Sequence, residues 1–159
     1  MNDFARWSQK VALDLFNEEW ERMPSAPGVY VIRRSRPIQR AGGIDRAGIL
    51  YVGRASPLRR RLWRFWNCDH TASGFLWTHI DIAKLVLSDR VRTPNDVEKK
   101  VHRLWLRYAT PINAKRLVRA ERALMFAYFN KFGEAPPLNL SINQRWLAKP
   151  LAEDQVRVR

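Results

Sequence analysis

The chain has 159 residues, 46% apolar and 11% aromatic, which fits one domain with a real core and excludes wholesale disorder. Its net charge of +14 points to a polyanionic partner, with DNA or RNA the default and a merely basic, ribosome-like protein the bland alternative. A single cysteine, Cys68, excludes an internal disulfide framework and a Cys-based zinc site, and fits a reducing cytosol.

The first apolar residues, Trp7, Val11, Leu15 and Phe16, recur at helical spacing, so an amphipathic helix is expected over Phe4–Trp20, stopped by Pro24 and Pro27. No apolar leader follows Asp3, and the longest apolar run, Ala123–Phe129, is too short to span a bilayer. Gly28–Arg33 and Gly48–Gly53 read as two strands that pair antiparallel. Between them Ser35–Ala47 is a basic connector with Gly42-Gly43 as a natural turn, readable as a hairpin arm or as a surface insertion that touches nothing. Pro57 starts a helix carrying Leu58, Leu62, Phe65 and Trp66 on one stripe, with Arg60, Arg61 and Arg64 opposite. A second helical stretch is expected over Thr71–Leu87, a loop over Arg90–Asn95 and a third strand over Arg103–Ala109, broken by Pro111. Asn113–Asn130 reads as a strong helix ended by Gly133, followed by a loop or extended strand at Ala135–Asn139 and a loosely held tail.

Charge is placed unevenly. Arg22–Cys68 holds eleven arginines, no lysine and one acid, Asp45. Arginine grips phosphate with a planar fork, so the positive surface should centre on the two strands and the helix after them. Glu121 is the only acid in Lys99–Gly133, and the helical wheel sets it among Leu117, Ala120, Leu124, Met125 and Tyr128. A carboxylate on that stripe must meet something cationic, either an arginine in a structural pair or a metal ion. Tyr30 and Tyr51, one on each strand, are good strand residues in their own right and prove nothing singly.

Taken in order, Gly28-Val29-Tyr30, Tyr51-Val52-Gly53, Arg54-Ala55, Leu58, Arg61, Glu121 and Pro136–Asn139 resemble the GIY-YIG nuclease superfamily, most of all its bacterial excision-repair members, over roughly residues 26–139. The resemblance implies a small α/β (α+β) fold, a three-stranded antiparallel sheet flanked by helices. Here it would carry an added N-terminal helix (1–23) and the basic inter-strand arm on a nuclease domain (24–140), before a tail (141–159). It also implies that Glu121 binds one divalent ion, Mg²⁺ or Mn²⁺, and that Arg61 stabilises phosphate charge. Tyr30 and Tyr51 would line the site, with the tyrosine acting as base left open. Arg54 would assist, Asn139 would brace the site, and Gly28 and Gly53 would support it. Arg36, Arg40, Arg60 and Arg64 are expected to hold phosphate.

The link between the two tyrosines is longer than in that family, as is the stretch from Glu121 to Asn139. His70 and His79 have either a role near the site or none. The expectation is a cytoplasmic, metal-dependent DNA endonuclease with no membrane partner and with a dimer open. The alternatives are a nucleic-acid-binding module without cleavage, or a nuclease toxin or ribonuclease.

Overall fold

The computed structural model describes residues 4–12, 20–66, 104–111 and 114–139, with residues 4, 5, 20, 63–66 and 111 described by backbone alone. The expected helix over Thr71–Leu87, the loop over Arg90–Asn95, His70, His79, the Arg64 side chain and the tail at 141–159 lie outside the described residues.

Three long strands form the frame. β3 (Gly28–Arg34) lies between β6 (Ile49–Ala55) and β7 (Leu104–Pro111), antiparallel to both. Alternation divides their side chains between two faces. Tyr30 is paired with Gly53 and with Tyr108, and Ile32 with Tyr51, so Gly28, Tyr30, Ile32, Tyr51, Gly53 and Tyr108 share one face. Val29, Val31, Val52 and Ala109 share the other. Among the described residues each face receives one helix. α1 (Leu58–Trp66) sets buried Leu58 and Leu62 on the tyrosine face, and α2 (Leu117–Phe132) packs Leu117, Ala120 and Met125 on the valine face. The result is a mixed α/β architecture on an antiparallel sheet.

Two features differ from the sequence reading. The expected N-terminal helix is absent over the described part. β1 (Phe4–Trp7) and β2 (Val11–Ala12) instead pair antiparallel with β7, making the sheet five-stranded rather than three-stranded. The flank of β7 away from β3 would otherwise present unpaired N–H and C=O groups. Satisfying them outweighs the helical spacing of Trp7 and Val11, which a short apolar run cannot distinguish from strand.

The arm is also not a free insertion. It forms a hairpin, β4 (Ile38–Arg40) with β5 (Gly43–Asp45), turning at Ala41-Gly42. The turn docks on the C-terminal end of α2. The Gly42 N–H donates to Phe132 O at 2.9 Å, the Ala41 N–H donates to Glu134 Oε1 at 2.8 Å, and Arg40 pairs with Glu134 at 3.1 Å. Arg40 also donates to Ala135 O. Asp45, 1% exposed, locks the return into β6 by accepting from the Ala47, Gly48 and Ile49 N–H groups and from the Tyr128 hydroxyl.

Candidate active site

β6 is the outermost long strand, and its free edge is closed by the chain after α2. The Leu138 N–H donates to Leu50 O at 2.9 Å. The Asn139 side chain then clamps Val52, accepting its N–H at 2.9 Å and donating to its carbonyl at 2.8 Å. An amide side chain thus takes the place of a neighbouring strand, between Tyr51 and Gly53.

The two phenols pack over Gly53. Their ring centroids are 5.8 Å apart with planes at 41°. A Cβ on Gly53 would stand 2.5 Å from Tyr51 Cε1 and 2.7 Å from Tyr30 Cζ, so any side chain there evicts both rings. Gly28 performs a similar service for α1. A Cβ there would sit 2.9 Å from Ala109 O and 3.1 Å from Leu58 Cδ2, lifting the helix off the sheet.

Arg61 reaches the phenols from the first turns of α1. That end of the helix has no side-chain cap among the bonds described; its orphan donors use the backbone ahead of β3. The Leu58 N–H donates to Ala26 O and the Arg59 N–H to Pro24 O, while the Arg59 side chain holds Met23 O at 2.6 Å. The start of β3 and the start of α1 are thereby one unit, which fixes Arg61 relative to Tyr30.

The tyrosines are not equivalent. Tyr30 is fully buried, and burial pushes its hydroxyl far above the ordinary phenol value, with Tyr51 adding to the rise and Arg61 opposing it. Its hydroxyl lies beside Arg61 and Tyr51 yet completes no hydrogen bond. Tyr51 is only half-buried. Burial raises it as well, Arg61 lowers it, and the charge of Glu121 raises it. Tyr51 therefore stands between the guanidinium on one side of the sheet and the carboxylate on the other. Arg61 is itself held above its ordinary value, chiefly by the Tyr30 hydroxyl and against desolvation.

Glu121 comes from α2 across the edge of β6. Its side chain is 13% exposed, and Oε2 accepts from Arg54 Nε at 2.7 Å. Desolvation raises its pKa and the Arg54 bond only partly offsets this. Arg54 is 41% exposed, so it can leave the pair for another anion. Among the described residues no three His, Cys, Asp or Glu side chains cluster. One desolvated carboxylate is nevertheless a suitable donor for Mg²⁺, which keeps most of its waters and takes one or two carboxylates plus substrate phosphate.

The structure thus brings Tyr30, Tyr51 and Arg61 together, sets Arg54 on Glu121, and couples the two groups through Tyr51. Arg60 and Arg36 are exposed and open to solvent. Arg40 is not: its side chain is 11% exposed and consumed by Glu134 and Ala135, so the expectation that it holds phosphate is corrected. The hairpin turned inward because Asp45 and Tyr128 anchor it. Sequence reasoning missed Asp45 as that anchor and Tyr108 as the neighbour of Tyr30. The isolation of Asp45 among eleven arginines was a usable signal; strand register, which places Tyr108, was not. Comparison with family models, with curated proteins and with solved structures gave no match.

Proposed function

We propose that the protein is a metal-dependent DNA endonuclease of the GIY-YIG type. The observation that carries this reading is the position of Tyr51, within electrostatic reach of both Arg61 and Glu121 at one edge of an antiparallel sheet and in a surrounding rich in arginine. The three long strands with a helix on each face agree with the fold that the sequence resemblance implies. Among the described residues no helix is long and apolar enough to cross a membrane. The cytosol is the compartment that suits one cysteine and a nucleic-acid substrate.

In this reading Glu121 would hold the divalent ion, Arg54 moving from the carboxylate to the substrate. When bound, such an ion supplies Lewis acidity toward phosphate and a water of lowered pKa. Arg61 presents its guanidinium to the non-bridging oxygens, where charge grows in the transition state. Tyr51, reachable from solvent, orients the attacking water at its hydroxyl and relays the proton, its phenol oxygen accepting from that water while its own O–H proton passes to bulk solvent. Tyr30, sealed from water, positions Tyr51 and Arg61 and does not touch substrate. Bonds that are near but unaligned, as at the Tyr30 hydroxyl, are common before substrate completes a site.

The Arg54–Glu121 pair also fits a second reading, a nucleic-acid-binding module in which Glu121 is structural. The deciding test incubates pure protein with supercoiled plasmid, and separately with RNA, under Mg²⁺, Mn²⁺ or chelator. Nicked or linear plasmid with metal, intact plasmid with chelator, and no cutting by Glu121→Gln are expected. Absence of cleavage of either nucleic acid under every divalent ion would overturn the nuclease reading, and cleavage of RNA alone would make it a ribonuclease.

A further inference from the structure

Between β1 and β7 the ladder opens. Trp7 pairs with Ala109 and Val11 with Leu106, but residues 8–10 leave the register. Ser8 bridges the opening with a side chain. Its N–H donates to Tyr108 O at 2.7 Å, while its hydroxyl accepts the Tyr108 N–H at 3.0 Å in place of a main-chain carbonyl. Arg107 Nε then donates to Ser8 O at 3.0 Å. The opening is therefore a built groove, of about 770 Å³, within the range of pockets that hold small ligands.

Its lining has a consistent chemistry. Arg6 and Arg107 supply charge, Trp7 and Tyr108 supply rings, and Gln9 and Thr110 supply polar rim groups; among the described residues no carboxylate lines it. The Arg107 guanidinium lies 5.9 Å from the Trp7 ring centroid. Trp7 is anchored beneath by the Val29 and Val31 clusters, so its ring is a fixed platform. Tyr108 sits beside Tyr30 on the face that also bears Tyr51. Trp7 and Arg107, paired with Ala109 and Val31, belong to the opposite face, so only the Tyr108 side of the groove lies two strands from Tyr51, roughly 10 Å at the usual strand spacing.

We infer that this groove captures an unpaired nucleotide of a nucleic-acid strand, its phosphate on Arg6 and Arg107 and its base on Trp7 or Tyr108. Rings stack on a base only where the base is free of its duplex neighbours, and such platforms combined with cations are how single strands are held. An acidic peptide would engage the arginines and leave the rings idle. Joined to the proposed cleavage, on which this part rests, the substrate class is a strand with a single-stranded segment close to the cut, such as a flap, fork or overhang.

The test measures binding by the full chain, in chelator, to a short labelled oligothymidylate and to the same strand in duplex. Arg6→Ala and Gln9→Glu alter exposed positions, and circular dichroism checks their fold. The parent is expected to prefer the single strand. Each variant should lose about fivefold or more of that affinity while duplex affinity stays within about twofold. Single-strand binding should quench indole emission, and Trp7→Phe should diminish that quenching. Equal binding of both probes, or equal losses for both, overturns the inference, as does unchanged single-strand affinity in the variants. If plasmid is never cut but the strand preference and its loss are seen, the groove stands and the nuclease reading falls. Cutting without strand preference does the reverse.

Discussion

At the scale of single residues, the separation of the two phenols gives the sharpest test. Tyr30→Phe deletes a buried hydroxyl that completes no hydrogen bond, so stability should hold or rise. Tyr51→Phe removes the half-buried hydroxyl proposed to orient water and should cost ~10²-fold or more in cleavage rate, as for loss of an acid–base group. Equal rate losses at fixed stability would remove the distinction. Glu121 carries a test of sign. Its pKa is raised in the folded chain, so its stabilising contribution is fully present below the unfolded value and is lost as pH rises through the folded value. Glu121→Gln should therefore melt no lower than the parent at neutral pH, with the gap closing on acidification. A variant that melts lower at neutral pH would make the Arg54 pair structural.

At the scale of elements, α1 and the arm use arginine in opposite ways. On α1, Arg61 turns to the phenols and Arg60 to solvent. Arg61→Ala should lower the rate ~10²-fold on saturating DNA, the loss typical of one transition-state donor. Arg60→Ala should instead weaken binding and reduce its salt slope by about one. Similar rate losses at both positions would deny Arg61 its role. In the arm, Asp45→Ala leaves the Ala47 and Ile49 N–H groups and a phenol without their acceptor, while the Gly48 N–H keeps the Asp45 carbonyl. A loss of about 3 kcal/mol or more is expected in denaturant unfolding. Arg40→Ala should cost stability and leave DNA affinity alone. For the same reason, replacing residues 35–47 with a short flexible link should destabilise the fold rather than spare it. A shortened chain that melts like the parent would return the arm to the status of a loose insertion.

At the scale of the whole molecule, the net charge of +14 should make all nucleic-acid binding steeply salt-dependent. The groove and the candidate active site lie towards opposite long edges of the sheet, β1 with β7 at one and β6 at the other. Binding and cutting should therefore separate by mutation: groove variants shift affinity for single strands, while Tyr51, Arg61 and Glu121 variants shift rate. Measuring both quantities for each variant at fixed ionic strength checks this, and a groove variant whose rate falls with unchanged affinity would contradict it.

Pattern and spacing sufficed for β3, β6 and the existence of α1, β7 and α2, because apolar alternation, Pro57 and Gly133 act locally. Pattern also singled out Tyr30, Tyr51, Arg61 and Glu121 as candidates, each on a strand or helix, whereas only the family resemblance points to Asn139. It did not reveal that β1 and β2 are strands, because the decisive force is the unpaired backbone of β7, a partner about a hundred residues away in sequence. Nor could it separate the tyrosines: strand pairing, the α1 helix and the closeness of Gly53 bury one and leave the other reachable. The same holds for Arg40, one of many arginines in the sequence, which only the docking of the hairpin on α2 withdrew from solvent. Local chemistry determined which residues could act; the register and packing of distant segments decided which of them meet.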